Sequence, residues 1–87
     1  MQSREYFIIR KPGMNLSELH KGQTGTISSF SDEEMSVKLM EMGCLPGEPV
    51  RVDYKAAFGD PMAVTVAGYQ LSMRKSEAAT IILKGID

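Results

Sequence analysis

The chain has 87 residues, of which 43% are hydrophobic and 24% are charged. These proportions are close to those of ordinary soluble domains, so they indicate one folded domain and exclude a disordered or fibrous chain. Ten basic residues against eleven acidic ones give a formal net charge of -1, which argues against nucleic acid and against anionic lipid as partners.

The cysteine content and the hydropathy pattern bear on where the protein works. The single cysteine, Cys44, cannot form a disulfide within the chain, whereas small secreted domains usually need several disulfides. No apolar run approaches the roughly 20 residues that a membrane-spanning helix requires, and the four apolar residues at 6–9 are too few for a signal peptide. We therefore expect a cytoplasmic protein that does not insert into the membrane.

Residues 1–13 are predicted to be an N-terminal tail or a short strand, because a Pro-Gly break follows their apolar stretch. The alternative is an arm that packs on a second copy, which leaves a homo-oligomer open. The main domain is predicted over residues 14–87. At its start, Asn15 is expected to cap one helical turn, with Glu18 at the N3 position reaching back to the cap.

A strand is predicted over residues 24–29, followed by the clearest local signal in the chain. Ser31–Glu34 has the pattern of a capping box, which marks the start of a helix. Phe30 and Met35 flank this box at the N′ and N4 positions, where apolar residues form a hydrophobic staple. A helix is therefore expected to begin directly after the first strand.

The predicted helix has one apolar stripe. Met35, Leu39 and Met42 recur at i, i+4 and i+7, which is the spacing of residues on one helical face. Gly43 suits the left-handed position that commonly follows a helix. The pattern predicts a helix over about residues 32–42.

The second half of the chain alternates between apolar and polar residues, which is typical of half-buried strands. Val50, Val52 and Tyr54 fall on one face of the first of these strands. The turn signals between the strands are Gly59-Asp60-Pro61 and Gly68. The predicted strands cover residues 50–55, 62–67, 69–74 and 80–84, with one helical turn at 76–79.

Five short strands joined by tight turns are too few for a sandwich. They predict a mainly β fold in which the sheet curls into a small five-stranded barrel with little exposed edge. The α-helix between the first and second strands is expected to plug one side of this barrel.

The sequence shows no pattern typical of an enzyme or of a metal site. His20 has no catalytic partner nearby in sequence, and Cys44 follows a helix C-terminus, whose negative end disfavours a thiolate. A single histidine cannot supply the two-histidine, one-carboxylate set that binds ferrous iron within a monomer. We therefore predict no catalytic residue, no cofactor and no metal ligand, and we expect a binding protein rather than an enzyme.

Four blocks of the sequence, in register over residues 14–84, resemble the FeoA family. The most specific block ends in a Leu-x-x-Met-Gly-x-x-Pro-Gly turn at Leu39–Gly47, although Cys44 stands where the family usually has an aliphatic residue. The four blocks are Leu16–Ile27, Lys38–Gly47, Gly59–Pro61 and Leu71–Ile81.

The resemblance implies an SH3-like barrel and a non-enzymatic accessory role in Fe(II) import. In that role the chain would dock on, or modulate, the cytoplasmic part of FeoB, a membrane GTPase. The chain is also similar to the C-terminal SH3-like domain of iron-dependent repressors, which implies an alternative role in metal-responsive regulation. A small RNA-binding barrel ranks last, because it would need exposed aromatic residues on a basic face, whereas most tyrosines are expected to point inward.

The partner surface is predicted at the loop that follows the helix. Leu45 has no periodic reason to be buried and stands beside Pro46, so it is a candidate anchor. The alternative is that Leu45 covers the mouth of the barrel. The turn around Asp60, at the opposite end of the next hairpin, is a weaker candidate. The candidate partner-binding residues are Cys44, Leu45, Pro46, Gly47 and Asp60.

Overall fold

The computed structural model describes residues 14–87, so the prediction for residues 1–13 lies outside the described residues. Strands, helices and two short 3₁₀ turns follow one another closely along these residues. The strands are β1 (Thr24–Phe30), β2 (Pro49–Lys55), β3 (Met62–Val66), β4 (Tyr69–Met73) and β5 (Ile81–Lys84); the helices are α1 (Glu33–Glu41) and α2 (Lys75–Ala78); the 3₁₀ turns are Leu16–Glu18 and Ala57–Gly59.

The five strands form one antiparallel sheet in the order β4-β3-β2-β1-β5. The two hairpins β2–β3 and β3–β4 are as predicted, and β5 crosses to pair with β1. A mainly β fold with α1 between the first and second strands is therefore confirmed. Within residues 14–87, β4 and β5 lie at opposite edges and do not pair. The sheet is curled but open, so the word barrel applies to it only loosely.

The core lies between the concave face of the sheet, helix α1 and the first 3₁₀ turn. Strand β3 shows the alternation most clearly, because its first, third and fifth residues are buried. Helix α1 contributes Leu39, which is fully buried, and Met35 and Met42, which pack at the margin of the core. The predicted apolar stripe of the helix is thus confirmed. The largest fully buried side chains are Leu16, Leu19, Ile27, Leu39, Met62, Ile81 and Leu83.

Of the two predicted capping boxes, the first is confirmed and the second is wrong by one residue. The capping box of Asn15 and Glu18 is confirmed, since Asn15 Oδ1 accepts from the backbone N–H of Ser17 at 3.0 Å. The box predicted at Ser31–Glu34 is wrong by one residue, because Asp32 is the cap and its Oδ1 accepts from Met35 N at 2.9 Å. Asp32 is still extended, with φ of -134° and ψ of 116°. The backbone N–H of Ser31, which Glu34 would bind in the predicted box, donates instead to the carbonyl of Thr80 at 2.9 Å.

A β-bulge in β2 overturns the predicted facing of one aromatic residue. The pairing of β2 with β3 shifts between Val52 and Tyr54, and Tyr54 lies opposite Ala63. An extra residue in one strand reverses the alternation beyond it. Tyr54 therefore faces outward and is exposed, so the prediction that it shares a buried face with Val52 is wrong. Tyr69 is exposed as well. Two of the three tyrosines are therefore exposed, and the expectation that most of them point inward is wrong.

A partly buried ion pair joins the two helices. Lys38 Nζ of α1 lies 2.6 Å from Glu77 Oε2 of α2, and the Glu77 side chain is 11% exposed. Glu77 Oε1 accepts a second hydrogen bond, from the backbone N–H of Arg74 at 2.8 Å. The hydrogen bond from Lys38, followed by the one from Arg74, lowers the pKa of the Glu77 carboxyl. The ionised carboxylate therefore stabilises the fold.

Helix α1 offers a test of the core. Leu39→Ala should lower the free energy of unfolding by about 2–5 kcal/mol, because it leaves a cavity at a fully buried position. The matched control is Val37→Ala on the exposed side of the same helix, which should change that free energy by no more than about 0.5 kcal/mol. Urea denaturation followed by circular dichroism measures both, and equal losses would contradict the assigned face of α1.

The ion pair predicts a pH dependence of stability. Glu77→Gln should lower the free energy of unfolding by about 1–3 kcal/mol at pH 7, because it removes a charged acceptor from two hydrogen bonds. A carboxyl whose pKa is lower in the folded state stabilises the fold above its unfolded pKa of about 4.3, and that stabilisation is lost as the pH falls through the folded pKa. The difference between wild type and variant should therefore shrink below about pH 4 in thermal melts. A difference that is constant from pH 7 to pH 3 would show that the carboxylate charge does not matter.

Candidate functional site

The loop after α1 is shaped by the way the helix ends. Gly43 adopts a left-handed conformation with φ of 102°, and its N–H donates to the carbonyl of Met40 at 3.0 Å. The N–H of Cys44 donates to the carbonyl of Leu39, also at 3.0 Å. This pair of bonds is the Schellman motif, in which the second residue after the helix folds back against its last turn.

The motif buries Cys44 and leaves Leu45 outside. Cys44 belongs to the core cluster together with Leu39, and burial raises the pKa of its thiol. A thiol in apolar surroundings is a weaker nucleophile than an exposed one. Leu45 is 45% exposed. The structure therefore does not bury Leu45, as the alternative expectation requires, and the residue folded against the last turn of the helix is Cys44.

The loop is fixed to the sheet at its far end. The N–H of Gly47 donates to the carbonyl of Ile27 in β1 at 2.7 Å, and the N–H of Ile27 donates to the carbonyl of Glu48 at 2.9 Å. Glu48 also closes a turn over the loop, since its N–H donates to the carbonyl of Leu45 at 3.0 Å. Leu45 and Pro46 are therefore held between two anchored ends.

Two further apolar side chains of α1 are exposed, those of Val37 and Met40. Because these residues are three positions apart, they lie on the same side of the helix. Met40 is linked to the loop by its hydrogen bond from Gly43, whose own carbonyl accepts from Leu45 N at 3.0 Å. We call Val37, Met40, Leu45 and Pro46 the helix-end patch.

The turn around Asp60 is anchored as firmly and exposes a residue that the sequence did not single out. Asp60 Oδ1 accepts from the backbone N–H of Lys75 at the start of α2, at 3.0 Å. Gly59 N donates to the carbonyl of Ala56 at 2.7 Å. Between them Phe58 is 95% exposed and has φ of 64°, a left-handed conformation that bulky residues rarely adopt. We call residues 56–61 the Phe58 loop.

These two candidate surfaces lie at opposite ends of β2. The helix-end patch precedes Pro49 and the Phe58 loop follows Lys55. A strand of seven residues spans about 20–23 Å. The structure therefore does not bring Asp60 together with residues 44–47, and the two sites are separate.

The outer face of the sheet carries a polar network around Asp53, the bulge residue of β2. Its carboxylate accepts from Thr65 Oγ1 at 2.5 Å, Arg51 Nε at 2.8 Å and Gln70 Nε2 at 3.1 Å. These hydrogen bonds, that of Thr65 first, lower the pKa of the Asp53 carboxyl to about 2. The network ties β2, β3 and β4 together at neutral pH.

Beside this network lies a groove of about 270 Å³. It is lined by Thr24, Glu48, Pro49, Arg51, Thr65, Ala67 and Gly68.

Among residues 14–87, no three His, Cys, Asp or Glu side chains are grouped as they would be to hold a metal ion. None of the helices in the same range is long and apolar enough to cross a membrane.

Comparison with solved structures relates this chain to known proteins. An FeoA-like protein from Clostridium acetobutylicum is 35% identical and has a TM-score of 0.74, over 85% of this chain and 87% of that one. FeoA from Stenotrophomonas maltophilia, solved with zinc and described as a prokaryotic SH3 domain protein, is 28% identical with a TM-score of 0.76, over 86% of this chain and 96% of that one. The predicted SH3-like fold is thereby confirmed.

A manganese-dependent transcriptional repressor has the same fold in one part of its chain. It is 22% identical with a TM-score of 0.75, over 84% of this chain but 36% of that one. This likeness concerns the fold alone. No curated protein matches the chain at a significant level.

The sequence profile of the FeoA domain matches residues 14–84, which include both candidate surfaces and every strand and helix of the described structure. The chain belongs to the FeoA domain family.

Proposed function

We propose that this chain is a non-enzymatic accessory protein of Fe(II) import that docks on the cytoplasmic part of an FeoB-type membrane GTPase. Membership of the FeoA family supports the pathway, as does the 28% identical Stenotrophomonas maltophilia relative, which is described as a candidate ferrous iron transport activating factor. The proposal places the chain in the cytoplasm.

The observation that carries the proposal is the helix-end patch. Its apolar side chains are exposed to water, although the loop that bears Leu45 is fixed by hydrogen bonds to α1 and to β1. A surface that is already ordered loses little conformational entropy when a partner binds. Apolar anchors surrounded by polar residues are typical of the centre of a protein interface. The patch therefore suits a protein partner.

The proposed mechanism is binding alone. A protein without catalytic groups changes the activity of a GTPase only if it binds one conformation of that enzyme more tightly than another. Docking of the helix-end patch would act in this way, by shifting the GTPase toward the conformation that fits the patch. Iron itself need not contact the chain for this to happen.

The alternative role, as a relative of the C-terminal domain of iron-dependent repressors, rests on the shared fold. Function depends on the site rather than on the fold, and the repressor likeness is 22% identical or lower in the structures that show it. No contact or surface of residues 14–87 favours this role over docking.

Leu45→Asp tests the docking surface. The variant should bind a purified FeoB-type GTPase at least tenfold more weakly, because an anchor residue of an interface is lost and a charge replaces it. Its free energy of unfolding should change by no more than about 0.5 kcal/mol, because Leu45 is on the surface. The matched control is Leu45→Met, which should bind within about twofold of wild type. A stable Leu45→Asp chain that binds as wild type would exclude this patch.

Phe58→Gly provides a second control with its own prediction. It should raise the free energy of unfolding by roughly 0.5–1 kcal/mol, because it relieves the left-handed conformation and removes a side chain that contacts little. Binding to the same GTPase should stay within about twofold of wild type, because the Phe58 loop lies at the other end of β2. If Phe58→Gly lost binding while Leu45→Asp bound normally, the docking surface would be the Phe58 loop with Asp60 and not the helix-end patch.

A further inference from the structure

The two edges of the sheet differ. The edge formed by β5 is covered within the chain, because Leu83 N donates to the carbonyl of Met14 at 2.8 Å and Asn15 forms a bridge with Ile82. The edge formed by β4 pairs only with β3 among residues 14–87. Unpaired edges promote association, and proteins usually protect them with lysine, proline or a bulge. Strand β4, with the sequence Tyr-Gln-Leu-Ser-Met, has none of these.

The hairpin turn determines which backbone groups of β4 point outward. Ala67 and Gly68 both have positive φ, of 52° and 83°, which is the conformation of a two-residue type I′ turn. Such a turn is closed by a hydrogen-bonded pair, here Val66 and Tyr69. Since hydrogen-bonded and non-hydrogen-bonded pairs alternate, the N–H and C=O groups of Gln70 and Ser72 point away from β3.

We propose that the β4 edge binds the β4 edge of a second copy of this chain, antiparallel, with Leu71 on the two-fold axis. In this register Gln70 of each copy lies opposite Ser72 of the other. The outward N–H and C=O groups of these two residues then form four hydrogen bonds, and the two sheets become one. Tyr69, which is 72% exposed, lies opposite Met73 of the other copy, whose own side chain is buried in the core.

Charge complementarity supports this register. Arg74 follows β4 and is exposed, and in the proposed pair it lies opposite Gly68 of the second copy. Gly68 lines the groove that also contains Glu48. Among residues 14–87, the Glu48 carboxylate has no ion pair or hydrogen bond with another side chain. Arg51 also lines this groove, but it is paired with Asp53 at 2.8 Å, so Glu48 is the charge that lacks a partner there among the described residues. In the proposed register each Arg74 approaches this end of the other copy's groove, and no two like charges are paired between the β4 strands.

The interface is small. Five residues from each strand, with four hydrogen bonds, fall below the area of standard protein interfaces. We therefore expect a weak dimer, with a dissociation constant in the range of roughly 0.1–1 mM. The docking function proposed above does not depend on this dimer, and the β4 edge is distinct from the helix-end patch.

Sedimentation equilibrium of the full chain tests the proposal. At about 1 mM, the weight-average mass of wild type should rise clearly above the 9.6 kDa of one chain. Ser72→Pro removes the outward N–H without removing a bond to β3, so dimerisation should weaken at least tenfold. The matched control, Ser72→Ala, keeps the N–H and should associate as wild type. A wild-type mass of 9.6 kDa at this concentration, or equal association of all three chains, would overturn the proposal.

A charge exchange tests the register without touching β4 itself. Glu48→Lys and Arg74→Glu should each weaken the dimer severalfold, because each places like charges opposite one another. The chain that carries both substitutions should recover most of the affinity, because the attraction is restored in reverse. Failure of the double variant to recover, while both single variants remain folded by circular dichroism, would exclude pairing about Leu71.

Discussion

The way helix α1 ends determines most of what this protein presents to a partner. Gly43 reverses the chain, and the backbone N–H of Cys44 closes on the carbonyl of Leu39. A residue with a Cβ is strained at a φ of 102°, so glycine is the residue that permits the reversal. The reversal buries Cys44, exposes Leu45 and starts β2 at the centre of the sheet. Without it, the helix could not cover the core and the apolar loop would not be held in place.

Backbone irregularities turn other side chains outward. The bulge at Asp53 places Tyr54 on the outer face, and the left-handed conformation of Phe58 holds a bare aromatic ring in water. The bulge interrupts the alternation of β2, whereas Phe58 lies in the 3₁₀ turn that follows this strand. The bulge interrupts the regular pairing of β2 with β3. The Asp53 carboxylate stabilises the sheet at this point, because its hydrogen bonds join three strands.

Much of the fold could be predicted from the sequence, because its signals are local. Capping at Asn15, the apolar stripe of Leu39 and the alternation of β3 each depend on residues close in sequence. The helix is capped by Asp32 instead of Ser31. The Ser31 N–H that the predicted capping box would use is bound by Thr80, which is distant in sequence, so no local pattern reveals this. The bulge that exposes Tyr54 depends on pairing between strands, and it was missed for the same reason.

The candidate site was predicted less completely than the fold. The loop around Leu45 could be predicted because Leu45 is apolar but fits neither the helical spacing of α1 nor the alternation of β2. With Gly43 in the left-handed position after the helix, the next residue, Cys44, is the one that the Schellman motif folds back onto the last turn. The alternative in which Leu45 is buried overlooked this register. Phe58 carried one weak signal, an aromatic residue directly before a Gly-Asp-Pro turn. Its exposure follows from a φ value that the sequence does not encode in any simple pattern.

We propose that this chain acts by docking through the helix-end patch. The most direct test is a titration of the ¹⁵N-labelled and methyl-labelled chain with the cytoplasmic domain of an FeoB-type GTPase, followed by NMR. The account predicts that signals of residues 37–47, with the methyl groups of Met40 and Leu45, shift or broaden first and most. Spectra that do not change at saturating GTPase, or changes confined to the Phe58 loop or to the β4 edge, would contradict it.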